Sequence, residues 1–221
     1  MVADNAYDII RDQILRGELA PGARLRAAEL QDRLNLGLTP IREALLRLTS
    51  VGLVSSPSGR GASVREASVE EVRDVMRTRR HIERACLVRS IELGDTEWEG
   101  EVLRAYHILS RTPYPRDNND TEGLSTWEQH HRKFHHALVA ACDSHWLMQF
   151  RDTLVDHSLR YRWLIQMHYA VNREGRSEYD SQHLAIMEAT LERDASKAAD
   201  LMDAHLTRTE NDMARLLSQH Y

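Results

Sequence analysis

The chain has 221 residues, 42% of them hydrophobic, with a net charge of −5 and two cysteines. That length allows one or two domains with a real core, and no apolar run approaches the ~20 residues that a membrane helix needs. The opening "MVADNAYDIIRDQ" is too polar for a cleavable signal, and Cys86 and Cys142 match no disulfide framework, which fits a reducing cytoplasm.

An acidic total argues against a nucleic-acid binder, but the distribution reverses the argument. Residues 1–66 hold nine Arg against eight acids, and residues 67–221 hold 20 Lys or Arg against 26 acids. Within the first part, residues 24–65 carry seven Arg and three acids, a local +4. The pattern predicts a small basic module, 1–66, joined to a larger acidic one, 67–221.

In "AYDIIRDQILRGEL" the apolar residues Ala6, Ile9, Ile10, Ile14 and Leu15 form a helical stripe that stops near Gly17. A turn through Pro21-Gly22 follows, and "RAAELQDRLNLGLTPIREALLRLTSVGLV" reads as two short helices about "NLG". Thr39 is expected as the N-cap of the second, with Pro40 at the first helical position, where its missing N–H costs nothing. Ile41, Ala44, Leu45 and Leu48 then make the buried stripe, and Arg42 and Arg47 lie off it. "LVSSPSGRGASV" predicts two short strands around a turn containing Pro57, Gly59 and Gly61. Three helices and a hairpin describe a winged helix-turn-helix, with the helix at Thr39 entering the major groove and Arg60 at the wing tip. Taken alone, Arg42 is as much a solvated surface arginine as a DNA ligand. The wing and the local basic excess favour DNA.

The segments "ILRGELAPGARLRAAELQDRL", "TPIREALLRLTSVGLV" and "GRGASV" resemble, in order, the DNA-binding domain of the GntR-family regulators. The resemblance implies DNA contact from Arg26, Thr39, Pro40, Arg42, Arg60 and Gly61. Many members carry an arginine where this chain has Ala28, and a Ser/Thr-Arg-Thr run where it has Gly37-Leu38-Thr39. Two contacting arginines are thereby absent, so the operator should differ from the common one, with Arg26 in partial compensation.

After a linker near Glu66–Ser68, Val72, Val75, Met76, Arg79, Ile82, Glu83 and Cys86 follow a 3.6-residue repeat. A second helix is expected over roughly 95–111 and a third from about Ser125 into the 130s. "SHWLMQFRDTLVDHSLRYRWLIQMHYA" reads as one or two helices, "NREGRSEYD" as a loop, and "SQHLAIMEATLER" and "DASKAADLMDAHLTRTENDMARLLSQ" as the last helices. With no strand pattern and no phosphate-binding glycine loop, an all-α bundle of six or seven helices follows. The fold class is mainly α.

Four histidines fall within seven positions of "HHRKFHHALVAAC". On a helix, Trp127, His131, Phe134, Leu138 and Cys142 share one face, and His135 lies beside His131 at the i, i+4 spacing that lets two imidazoles meet one ion. His130 sits at the edge of that face and His136 points away. Later, His183 aligns with Ile186, Met187 and Thr190, and His205 with Ala198, Leu201, Met202 and Leu216. One inward histidine is usually a satisfied core residue. Four convergent ones must be neutral, paired or bound to metal. Such a nitrogen-rich set suits Zn(II), Ni(II) or a similar divalent transition ion.

"RRHIE" from Arg79, "FHHALVAAC" from Phe134, and the spacing of His183, Asp194, Ala198, Met202 and His205 resemble the FCD ligand-binding domain of the FadR-type branch. In metal-binding members an Asp four residues before the Phe-His histidine joins that histidine and two later ones. The matching residues are His131, His135, His183 and His205, with histidine standing where those members have Asp. "W-E-x-x-H-x-x-FH", "SHWL" and "RYR" are similar to the CsiR-like regulators of dicarboxylate catabolism. The resemblance covers about residues 6–217. It implies an effector anchored by the metal and an inward arginine, Arg79, with Arg160, Tyr161 and Arg162 of "RYR" as further candidates. The alternative for Arg79 is a plain i, i+4 pair with Glu83.

A metalloenzyme is the rival from another class, since Glu128-x-x-His131 is half of a di-iron carboxylate motif. The second half is only Asp180-x-x-His183, and catalysis leaves the DNA-binding head unexplained. A metal-responsive regulator is the nearer alternative. The expectation is therefore a cytoplasmic homodimeric repressor, not an enzyme, that binds a double-stranded operator under control of a small organic acid.

Overall fold

Helix α1 (Val2–Leu15) buries Ala6, Ile10 and Ile14 on one face, as its periodicity predicts. The computed structural model describes residues 2–56, 61–115, 117, 120–171 and 176–220. After α1 come strand β1 (Arg24–Leu25), helices α2 (Ala27–Leu34) and α3 (Leu38–Ser50), and strands β2 (Val54–Ser55) and β3 (Ala62–Val64). The strands form an antiparallel sheet in the order β1-β3-β2, with Arg24 opposite Ser63 and Val54 opposite Val64. The sequence predicts only the hairpin of β2 and β3; β1 is too short to show alternation.

Helix α3 begins earlier than its sequence suggests. Its N-cap is Gly37, in an extended conformation, rather than Thr39, and Pro40 is the third helical residue. A Cβ at position 37 would lie 3.3 Å from the Pro40 ring, so glycine lets the proline close over the cap. The proline still falls among the first four residues, whose N–H groups have no partner in the helix, so it costs none of its bonds. Ile41, Ala44 and Leu48 are fully buried beneath it.

The bundle comprises α4 (Val69–Leu93), α5 (Thr96–Arg111), α6 (Thr121–Val139), α7 (His145–Val171), α8 (Arg176–Leu191) and α9 (Ala195–His220). Helix α4 packs along α9 and α7, and α5 along α6 and α8. Ser68 caps α4 by accepting from the Glu71 N–H, and Asp120 caps α6 by accepting from Gly123 N–H at 3.0 Å. That carboxylate starts α6 four residues before the expected Ser125. Helix α7 is one continuous helix, and α8 takes up Arg176 to Asp180, expected as loop. No helix of the described residues is long and apolar enough to cross a membrane.

Two apolar clusters hold the molecule together. One lies inside the bundle, around Phe134, Leu138, Ile186 and Met202. The other, around Ile10, Ile41, Leu48 and Leu53, also takes Val155 and Leu159 from α7. Helix α7 therefore serves both cores.

Candidate functional site

His131 and His135 project from α6, His183 from α8 and His205 from α9, and each is at most 3% exposed. One nitrogen of each lies within 4.8 Å of the others. His131 Nε2 is 3.1 Å from His135 Nε2 and 3.2 Å from His183 Nε2. For metal–nitrogen bonds of ~2.0–2.1 Å in a tetrahedron, ligand nitrogens stand about 3.3–3.4 Å apart. The two separations from His131 are close to that spacing, and all four nitrogens fall within 4.8 Å of one another.

Burial in the apolar interior holds the His131, His135 and His205 imidazoles well below their usual range and takes His183 down to about 3. Neighbouring imidazoles and Arg162 add to the shift. The rings are therefore neutral, each with one lone pair. Arg162 Nη2, always a donor, is 3.4 Å from His131 Nε2, so that nitrogen presents its lone pair and its proton is on Nδ1. His205 Nδ1 lies 3.0 Å from the Gln182 carbonyl oxygen, which as an acceptor turns the His205 Nε2 lone pair inward. His135 Nδ1 is buried with no hydrogen-bond partner among the described residues. The Nε2 lone pairs of His131 and His205 are thus available, and a cation at the centre of the four rings would take one nitrogen from each. The four residues fit a metal ion.

Behind the histidines lies a charged layer. Arg79 donates to Glu83 Oε1 at 3.1 and 3.2 Å and to Ser158 Oγ at 2.8 Å. Arg151 donates to Glu83 Oε2 at 2.9 Å and to the His135 carbonyl at 3.1 Å. Burial alone would push the Glu83 carboxyl up, but Arg151 and Arg79 outweigh it and hold it below the usual range. Arg162 Nε stands 3.2 Å from Glu128, whose buried carboxyl is raised by desolvation against the pull of Arg162.

Arg162 borders a cavity of about 30 Å³ shared with Trp127, His131, His183 and His205. Arg79 does not reach that cavity; its guanidinium is committed to Glu83 and Ser158, the plain pairing that its spacing allowed. Tyr161 is buried facing away from the histidines, and its hydroxyl donates to Glu71 at 2.7 Å. His130 meets Thr112 Oγ1 at 2.7 Å outside the cluster, and His136 is exposed. Sequence reasoning missed Arg151 and Ser158. The signal was present, since 151, 158 and 162 recur at helical spacing along α7.

On the head, Arg26, Arg42 and Gly61 line one shallow surface depression together with Arg24. Arg42 and Thr39 are exposed, Pro40 is half-buried, and Arg26 pairs with Glu29 at 2.7 Å. Gly61 has φ +74°, a left-handed conformation that favours glycine at the turn into β3. Arg60 lies outside the described residues.

The chain matches the FCD domain over residues 74–208 and the description "bacterial regulatory proteins, gntR family" over residues 2–64. It is 36% identical over 200 residues to the uncharacterized HTH-type transcriptional regulator BphR of Paraburkholderia xenovorans, covering 90% of this chain and 80% of that one. It is 33% identical over 202 residues to the HTH-type transcriptional repressor GlaR of Escherichia coli, covering 91% of each. Its fold is similar to that of the solved E. coli McbR/YncC, with a TM-score of 0.77 at 20% identity over 100% of this chain and 99% of that one. A putative GntR regulator from Rhodococcus superimposes with a TM-score of 0.72 at 22% identity, covering 96% of each.

Proposed function

The chain belongs to the GntR family of bacterial regulatory proteins and carries an FCD domain, so it is a DNA-binding transcriptional regulator and not an enzyme; from that premise we propose a homodimeric repressor controlled by a small carboxylate at a metal centre. Residues 1–66 form the DNA-binding head and residues 67–221 the effector and dimerisation domain. The observation that carries the reading is the convergence of four buried, neutral imidazoles from three helices, with Arg162 against one of them.

In this reading His131, His135, His183 and His205 hold a divalent transition metal, zinc or nickel, which would supply a Lewis-acidic centre for a carboxylate. A doubly charged ion among neutral ligands leaves positive charge in a buried place, since Glu128 is already paired with the guanidinium of Arg162. An anion balances it. Arg162 orients that anion; Arg79 and Arg151, tied to Glu83, hold the wall behind His135. One short recognition helix reads few bases, so two heads on a two-fold dimer read a pseudo-palindromic operator. Ligand then shifts the equilibrium between head arrangements that fit the operator and those that miss it.

The test is metal analysis of the purified protein, followed by operator binding with and without a series of carboxylic acids. One metal per chain and acid-dependent release from DNA are expected. Metal-dependent DNA binding that ignores every acid would make the ion itself the signal. Absence of metal uptake would return the four residues to core histidines.

A further inference from the structure

Nine arginines fall in residues 1–66, and eight of them are among the described residues. Six of those have partners: Arg11, Arg16, Arg26 and Arg65 pair with carboxylates, Arg33 donates to Gln13, and Arg47 lies over the Tyr7 ring. The guanidinium groups of Arg24 and Arg42 have no acceptor among the described residues, and both side chains are exposed. These two come from different elements, β1 and α3, yet they line the same surface depression. A single unpaired guanidinium on a surface is ordinary. Two in one depression, with no carboxylate in its lining, concentrate positive charge at one place.

The lining is apolar as well as cationic. Leu46, one turn along α3 from Arg42, is 70% exposed there, the highest value among the described large hydrophobic residues. It lies on the side of α3 turned away from Ile41, Ala44 and Leu48, so packing of the head gives no account of it. The opposite rim belongs to the wing, at Ser56 and Gly61. Cationic and apolar groups side by side match the chemistry of a sugar–phosphate chain, in which an anionic phosphate alternates with an apolar deoxyribose edge. The position matches too. With α3 in the major groove, the backbone that bounds that groove passes along a flank of the helix, and the depression lies between that helix and the wing.

We propose that Arg24 is a DNA-contacting residue: it holds a backbone phosphate of the duplex in this depression, beside the bases that Arg42 meets, and Leu46 rests against the adjoining deoxyribose. The assignment goes beyond the contacts that the family resemblance implies. It also separates Arg24 from Arg26, whose charge is already matched by Glu29. A phosphate contact carries no sequence information; it fixes how the head is seated, and so which bases α3 reaches.

Fluorescence anisotropy of the full chain on a mixed-sequence duplex, over a series of sodium chloride concentrations, tests this, because binding there rests on the backbone. Arg24→Gln should weaken binding severalfold and lower the slope of log K against log salt by about 0.9 for each head engaged. Arg24→Lys should restore the slope, since a point charge serves a phosphate, and neither variant should move the midpoint of urea unfolding. Arg33→Gln removes the same charge from the head outside the depression and should leave the slope unchanged. Leu46→Ala should weaken binding at an unchanged slope. A wild-type slope in Arg24→Gln overturns the contact. So does an equal loss in Arg33→Gln, because net charge then explains the effect, and so does a failure of Arg24→Lys to restore the slope. Unchanged affinity in Leu46→Ala removes the deoxyribose from the seat. Competition by inorganic phosphate at matched ionic strength would make the depression a small-anion site and overturn the duplex as its occupant.

Discussion

The head and the bundle bury different things. All twelve buried polar or charged residues among the described ones, from Arg79 to Thr209, belong to the bundle, and the head buries none. The head's candidate contacts, Arg26, Thr39 and Arg42, are exposed on a frame of Ile10, Ile41 and Leu48. In the head, then, the candidate contacts and the folding core are different residues. In the bundle the candidate ligands are themselves buried, and a buried charge or imidazole destabilises the fold unless its partners are in place.

The sharpest way to break that contrast is Glu83→Ala. It leaves Arg79 and Arg151 buried without their shared carboxylate and should cost about 3–5 kcal/mol, read as the midpoint of urea unfolding. A loss under about 1 kcal/mol, the range of exposed pairs, would show that the charged layer is not structural. Next comes the metal. Zinc or nickel at a hundredfold excess over its dissociation constant should stabilise the wild type by about 2.7 kcal/mol. His183→Ala should abolish that gain and the stoichiometric metal, and His136→Ala should change neither.

Acid should act on the same four groups in chelator-treated protein. Their folded pKa values lie below the unfolded value of 6.5, His183 at about 3, so below 6.5 the unfolded chain binds more protons than the folded one. Stability should therefore fall as pH drops from 6.5, and a flat thermal midpoint from pH 7 to 5 would refute burial of neutral imidazoles. The smallest effect on stability belongs to the head. Arg42→Ala should leave folding within about 0.5 kcal/mol yet weaken operator binding by about 1–3 kcal/mol. Equal DNA affinity would remove Arg42 from the interface.

Much of the fold was legible because it is periodic. The stripe of α3 and the inward set on α6, α8 and α9 follow from 3.6-residue spacing, and the structure buries those residues. What failed was local and short. Strand β1 has two residues, and the start of α3 depends on how the Pro40 ring packs over Gly37. Gly52, at φ +76°, shows the same limit: a Cβ there would come within 3.2 Å of His157, 105 positions away in sequence, a constraint no local pattern encodes.

By itself the sequence determined the helical class, the head with its wing, and the inward face on which each of the four histidines lies, since angular position on a helix is a property of spacing alone. Only the tertiary structure decided the partners. Tyr161 and Arg162 are neighbours in sequence, yet one faces Glu71 and the other His131, about 100° apart around α7. Asp156 finds Arg11 across 145 positions. Spacing tells which residues share a face; which face of another element closes over them is set by packing the whole chain at once, and there the chemistry of the site was chosen.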